Sequence, residues 1–263
     1  MMGEITKESY ANISLEELEA MRRKGYEEGA TVYDTRRFVD PSGRLYAEIE
    51  NILLDDLIEP AARRSILDVS TGTGRIALHL ASRGHRVLGV DQAENMIQVA
   101  REKARRMALD NVSFEVANSR ALPFKDDSFD YVTSIRFMHL IPRRMWSHYI
   151  GEMTRVLKPG GCLVIEFNNY WEGLLYGRIE DAYFNLFRNL PGRGRIRPSW
   201  IADAFPGLQV ERKVGLWIRG LGRIGRVSKP MAIGLTSLGK YYPFHYLTSQ
   251  ILIKLRKYDF PLQ

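Results

Sequence analysis

Apolar positions along the chain follow two alternating rhythms. Short apolar runs lie near residues 65–69, 86–90, 112–116, 129–134 and 162–167, and stretches of helical spacing separate them near 74–83, 94–108 and 145–157. Runs of five or six residues between turn formers read as buried strands. Strand–helix alternation implies right-handed crossovers and an α/β, doubly wound, mostly parallel sheet. Upstream, Leu45, Ile49, Ile52, Leu53 and Leu57 form a helical stripe leading to the first strand. Ser14-Leu15-Glu16-Glu17 is a capping box and predicts a helix through about Glu28, ended by Gly29. Tyr33–Phe38 then precedes a Pro-Ser-Gly turn at 41–43, and strands near 208–217 and 246–256 finish the chain. The organisation expected is an N-terminal helical segment over 1–60, a core over 61–168, and a region over 169–263 that joins insertions to the last two strands.

Two of these strands end in an acid. The first runs Ile66-Leu67-Asp68-Val69 into Ser70-Thr71-Gly72-Thr73-Gly74-Arg75-Ile76-Ala77, and the second runs Arg86-Val87-Leu88-Gly89-Val90-Asp91. A turn of small residues between a strand and a helix is how an α/β protein seats a nucleotide-like ligand. Gly72–Ala77 also satisfies the dinucleotide pattern G-x-G-x-x-G/A. Asp68 argues against that ligand, because a pyrophosphate on this turn would meet a carboxylate where negative charge is unwelcome. A ligand carrying an ammonium and a sulfonium, and no phosphate, suits the same acid. Either acid could instead cap the helix that follows it, and Met96, Ile97 and Ala100 also fit a plain core stripe.

The third strand, Val112–Val116, leads into Ala117-Asn118-Ser119-Arg120. Ser128–Ser134 and Arg155-Val156-Leu157-Lys158-Pro159-Gly160-Gly161-Cys162 follow at matching intervals. In this order the pieces over about 64–168 resemble the class I S-adenosylmethionine-dependent methyltransferases, on the small-molecule branch with quinone, sugar and natural-product acceptors. The resemblance implies a seven-stranded sheet of order 3-2-1-4-5-7-6 with the last strand antiparallel. It also implies an N-terminal segment over the cofactor and a C-terminal substrate cap. Asp68 would hold the methionine ammonium, Asp91 the ribose, Met96 the adenine face, Asn118 the adenine amino group and the Ser119 amide a ring nitrogen. Ser70, Gly72, Thr73 and Gly74 would let the backbone pass under the ligand, and Gln92 and Ser134 complete the implied set. Ser70 and Asn118 depart from the family's commoner glycine and aspartate.

Composition narrows the acceptor. The single cysteine, Cys162, excludes an internal disulfide framework, and no Cys/His cluster has metal-ligand spacing, so no metal is assigned. The N-terminus lacks a signal-peptide core and no apolar run approaches a membrane span, which makes cytoplasm the default expectation. The charge of +7 raises a nucleic-acid reading, with Arg101, Lys103, Arg105 and Arg106 on one helix. That helix reads as a solvated face. Thr133-Ser134-Ile135-Arg136-Phe137 also lacks the turn that clamps a flipped base, so nucleic acid is disfavoured and a small-molecule acceptor expected. The basic, Gly-punctuated stretch 219–229 suits peripheral contact with an anionic membrane. His139, beyond the fourth strand, is the candidate general base for a hydroxyl acceptor. An RNA methyltransferase and a catalytically silent protein of the same fold are the alternatives. The oligomeric state is left open.

Overall fold

The computed structural model describes residues 14–58, 63–141, 143–169, 195–196, 207–217, 224–225, 228–241 and 248–258. Its helices are α1 (Leu15–Gly29), α2 (Tyr33–Phe38), α3 (Pro41–Leu57), α4 (Arg75–Ser82), α5 (Glu94–Arg106), α6 (Trp146–Arg155) and α7 (Lys229–Ser237). Its strands are β1 (Ser65–Val69), β2 (Arg86–Asp91), β3 (Val112–Val116), β4 (Phe129–Ser134), β5 (Leu157–Asn169), β6 (Arg195–Ile196), β7 (Leu208–Gly215) and β8 (Gln250–Lys257). The sheet order is β3-β2-β1-β4-β5-β8-β7, with the two-residue β6 pairing with the end of β5. Leaving β6 aside, this is the expected 3-2-1-4-5-7-6. β3 through β5 run parallel, while β8 is antiparallel to both β5 and β7.

The period-2 alternation of each strand divides the core between two faces. Ile66, Val87, Tyr131, Val164 and Leu252 point to one face, where residues of α3, α4, α5 and α7 cover them. Leu67, Val90, Val132, Leu163 and Ile253 point to the other, against Trp146, Tyr149, Ile150 and Met153 of α6. Covering both faces explains why the strands read as nearly continuous apolar runs.

Three local expectations change. Pro41-Ser42-Gly43 is not a turn but the first turn of α3: Asp40 caps it, accepting from the Gly43 amide at 2.6 Å. Proline fits there because its missing N–H is one that a helix start leaves unpaired anyway. Within α3, Ile52 is 40% exposed and Leu54 takes its place in the core. Finally, β5 begins at Leu157, so Pro159-Gly160-Gly161 lies inside the strand, with Gly160 at φ +71° and a register shift opposite Phe129/Tyr131. Most of the expected substrate cap, residues 170–194 and 197–206, and most of 218–227 lie outside the described residues. α7 packs onto the α3 face through Ala232, with Ile233 and Leu235 partly buried against the same core.

Candidate active site

The carboxyl ends of β1, β2 and β4 open into a cleft enclosing about 1010 Å³ of space not filled by atoms, part of it open to solvent. It lies where ligands bind in open α/β sheets.

The β1–α4 turn forms its floor. Ser70, Gly72 and Gly74 all adopt left-handed backbone, at φ +59°, +57° and +78°. At Gly72 a Cβ would point into open space, so the residue serves the turn and leaves the cleft clear. At Gly74 a Cβ would come within 2.8 Å of Ala100 and 2.9 Å of Phe114. Gly74 therefore allows both the turn and the close seating of α4 on α5.

Both strand-end acids reach this floor. Asp68 is buried, and accepts from Thr133 Oγ1 at 2.6 Å and from Thr71 Oγ1 at 2.5 Å. Burial pushes its carboxyl up to about 6, against the two hydroxyl bonds that favour its charged form. Asp91 accepts from the Gly72 amide at 2.9 Å and the Ala93 amide at 3.0 Å. Burial raises it as well, and those amides oppose the rise. Each acid is thus fixed by neighbours while still lining the cleft. A cation offered to Asp68 would relieve the cost of its buried charge.

Of the residues singled out in the sequence, Asp68, Ser70, Gly72, Thr73, Asp91, Gln92, Met96 and Ser119 line the cleft together. Gly74 stands behind the turn. Asn118 is outside the lining: its Oδ1 accepts from Gln92 Nε2 at 3.0 Å and from the Arg120 amide at 2.9 Å, so it shapes the loop after β3. Ser134 is fully buried with no partner for its Oγ. His139 occupies the 3-10 turn Met138–Leu140 and stays outside the lining, although its neighbours Phe137, Leu140 and Ile141 belong to it.

The N-terminal segment closes one side. Asp34 Oδ1 accepts from Thr73 Oγ1 at 2.9 Å, while Lys103 of α5 bonds the other Asp34 oxygen and also the Thr73 carbonyl at 3.0 Å. Lys103 is therefore a clamp, and the expectation of a wholly solvated basic face on α5 is corrected; Arg101 likewise donates to the Phe114 carbonyl. Glu27 of α1 caps α5, accepting from the amides of Glu94 and Asn95 at 2.7 Å each. Negative charge at a helix N-terminus is stabilising. The Tyr33–Phe38 segment was visible as a motif. The docking of α1 carries no local signal, because its partners lie more than sixty residues away.

The far side of the cleft, past β4, holds a charged cluster that no motif announced. Arg75 pairs with the buried Glu50. Arg136 sits at φ +61°, its amide donating to the buried Glu166 at 3.0 Å. Its guanidinium lies 5.2 Å from the Tyr46 ring centre and 5.8 Å from that of Phe38. Burial, then the neighbouring Glu50, raises the Glu166 carboxyl to about 7. Burial likewise lifts the Tyr46 hydroxyl well above its ordinary value.

Comparison with known proteins agrees with this fold. Residues 66–161 match the family model described as a methyltransferase domain. The chain is 40% identical to methyltransferase GfsG of Streptomyces halstedii over 179 residues, 67% of this chain and 61% of that protein. It is 33% identical to the demethylmenaquinone methyltransferase of Bacillus cytotoxicus over 153 residues, 54% of this chain and 64% of the relative. The chain thus spans under two thirds of the length of these relatives. A solved Thermotoga maritima structure described as a SAM-dependent methyltransferase shares the fold, with a TM-score of 0.61 and 18% identity over 88% of this chain and 98% of that one. Residues 66–161 of this chain are a methyltransferase domain, on a fold shared with the solved SAM-dependent methyltransferase.

Proposed function

We propose that the protein transfers the methyl group of S-adenosylmethionine to a small-molecule acceptor. The observation that carries this reading is the pair of acids on adjacent strand ends, both fixed by neighbours and both lining one cleft over a left-handed glycine turn. In this reading Asp68 holds the ammonium and Asp91 the ribose hydroxyls. Met96 packs on the adenine, with Gln92 and Ser119 at its edge, and the described part of the N-terminal segment, residues 14–58, forms the cover. S-adenosylmethionine supplies a methyl group already activated on a sulfonium, so the protein's task is mainly positioning, worth about 7–11 kcal/mol in well-oriented systems. The demethylmenaquinone methyltransferase relative supports an oxygen-bearing, apolar acceptor. No role as base is given to His139, since its side chain is outside the lining.

Incubation with methyl-labelled S-adenosylmethionine and fractionated cell extract tests the proposal. Label should enter a small-molecule fraction and survive nuclease treatment. Label lost on nuclease treatment would favour an RNA acceptor. Cofactor binding with no transfer to any fraction would favour a silent binding protein.

A further inference from the structure

Asp91 and Arg136 flank β1 on opposite sides, one ending β2 and the other following β4. The cleft therefore has a second polar end, and four observations bear on its use. Arg136 holds a left-handed backbone, at φ +61°, that is unfavourable for a residue with a Cβ. Such strain persists only where surrounding structure enforces it, and the Glu166 bond to its amide does so here. Arg136 lines the cleft, and among the described residues no hydrogen bond or ion pair holds its guanidinium, whose buried Nε is unpaired. Arg75 Nη1 and the Tyr46 hydroxyl are also buried without partners. Around them Phe38, Ile135, Phe137 and Leu140 give this end an apolar wall.

We propose that Arg136 is the acceptor-anchoring residue, binding a single hydroxyl-derived oxygen on an apolar, ring-bearing acceptor. The proposal rests on the methyltransferase reading for the word acceptor, but not for the binding itself. Charge limits the ligand: Glu50 pairs with Arg75, and Glu166, raised to about 7, offsets Arg136 only in part, which leaves less than one surplus positive charge and too little for a doubly charged phosphate. One polarised or singly charged oxygen fits, because a guanidinium offers several donors in a fixed fork. The Phe38 and Tyr46 rings lie within cation–π distance of the guanidinium. Arg136 acts here as a specificity-determining contact.

The test compares 2-naphthol with naphthalene, which differ by one hydroxyl, in equilibrium binding to the native protein and to Arg136→Lys, Arg136→Gln and Arg136→Gly. Glycine relieves the backbone strain and removes the charge, whereas lysine keeps both. The native protein should bind 2-naphthol at least tenfold more tightly than naphthalene. Arg136→Lys should keep most of that preference, and Arg136→Gly and Arg136→Gln should lose it. Binding of S-adenosylhomocysteine to all variants should stay within twofold of native. The proposal is overturned if the native protein shows no preference, failure to bind either compound included. It is also overturned if the glycine or glutamine variant keeps the preference, or if both lose S-adenosylhomocysteine binding along with it. A native protein that prefers 2-naphthol yet ignores S-adenosylhomocysteine would sink the methyltransferase reading and leave the oxygen site standing.

Discussion

The two ends of the cleft are built by different means. The end formed by β1 and β2 is made of one glycine turn and two strand-end acids, and its side chains are satisfied by amides and hydroxyls close in sequence or on the adjoining strand. The end beyond β4 gathers Phe38, Tyr46, Glu50, Arg75, Arg136 and Glu166 from α2, α3, α4 and the β4 and β5 ends, and leaves several of their polar atoms unpaired. A fully paired site holds its shape before a ligand arrives. A site with buried, unpaired donors is costly until something supplies acceptors. The first arrangement suits a ligand common to a whole family; the second suits one particular to this chain.

The largest expected effect strikes the second end. Glu50→Ala would strand Arg75 beside an already unpaired Tyr46 hydroxyl, and breaking such a buried pair costs about 3–5 kcal/mol. Urea denaturation at pH 7 measures it. A loss under about 1 kcal/mol would mean that water already satisfies the cluster, and the contrast between the two ends would fade.

Asp68 gives a pH signature at the first end. Its folded value of about 6 lies above its ordinary 3.8, so the folded chain holds that proton more tightly than the unfolded one. The group's contribution to stability is full below about pH 4, falls as pH rises to about 6, and is level above that. Cofactor affinity should run the other way, weakening as pH drops below about 6 and the carboxylate is lost. Asp68→Asn should flatten both profiles, as seen by thermal melts and calorimetry from pH 5 to 8. An unchanged affinity profile in that variant would remove Asp68 from the ammonium site.

The smallest effect sharpens the account of the turn. Ser70→Gly removes a side chain from a left-handed position and should stabilise the protein by roughly 0.5–1 kcal/mol, with cofactor affinity nearly unchanged. A denaturation midpoint that falls would show that the serine side chain contributes more than its backbone costs.

What could be read in advance follows the same division. Asp68, Gly72, Thr73, Gly74 and Asp91 lie within 24 residues of sequence, at spacings that the strand, the turn and the next strand dictate. Sheet order likewise followed from matched elements, and the period-2 alternation that divides the core was visible in the strands themselves. The cluster around Arg136 was not legible, because its members approach only after α2, α3 and two strand ends have packed. Nothing marks Glu50 as buried and charged, since it sits on a helix whose pattern reads as an ordinary amphipathic stripe. Lys103 was misread for the same reason: its partner Asp34 lies 69 residues away. Asn118 and His139, singled out by their places after the third and fourth strands, lie outside the cleft lining, because position after a strand does not by itself fix whether a side chain reaches the cleft.

The division itself is tested most directly by titrating S-adenosylhomocysteine into the native protein, Asp91→Ala and Arg136→Gly under one set of conditions. Asp91→Ala should bind at least tenfold more weakly, from the roughly 1.5–3 kcal/mol that charge-assisted hydrogen bonds contribute, while Arg136→Gly stays within twofold of native. Equal losses in the two variants, or native affinity in a folded Asp91→Ala, would contradict the assignment of the cofactor to the β1–β2 end.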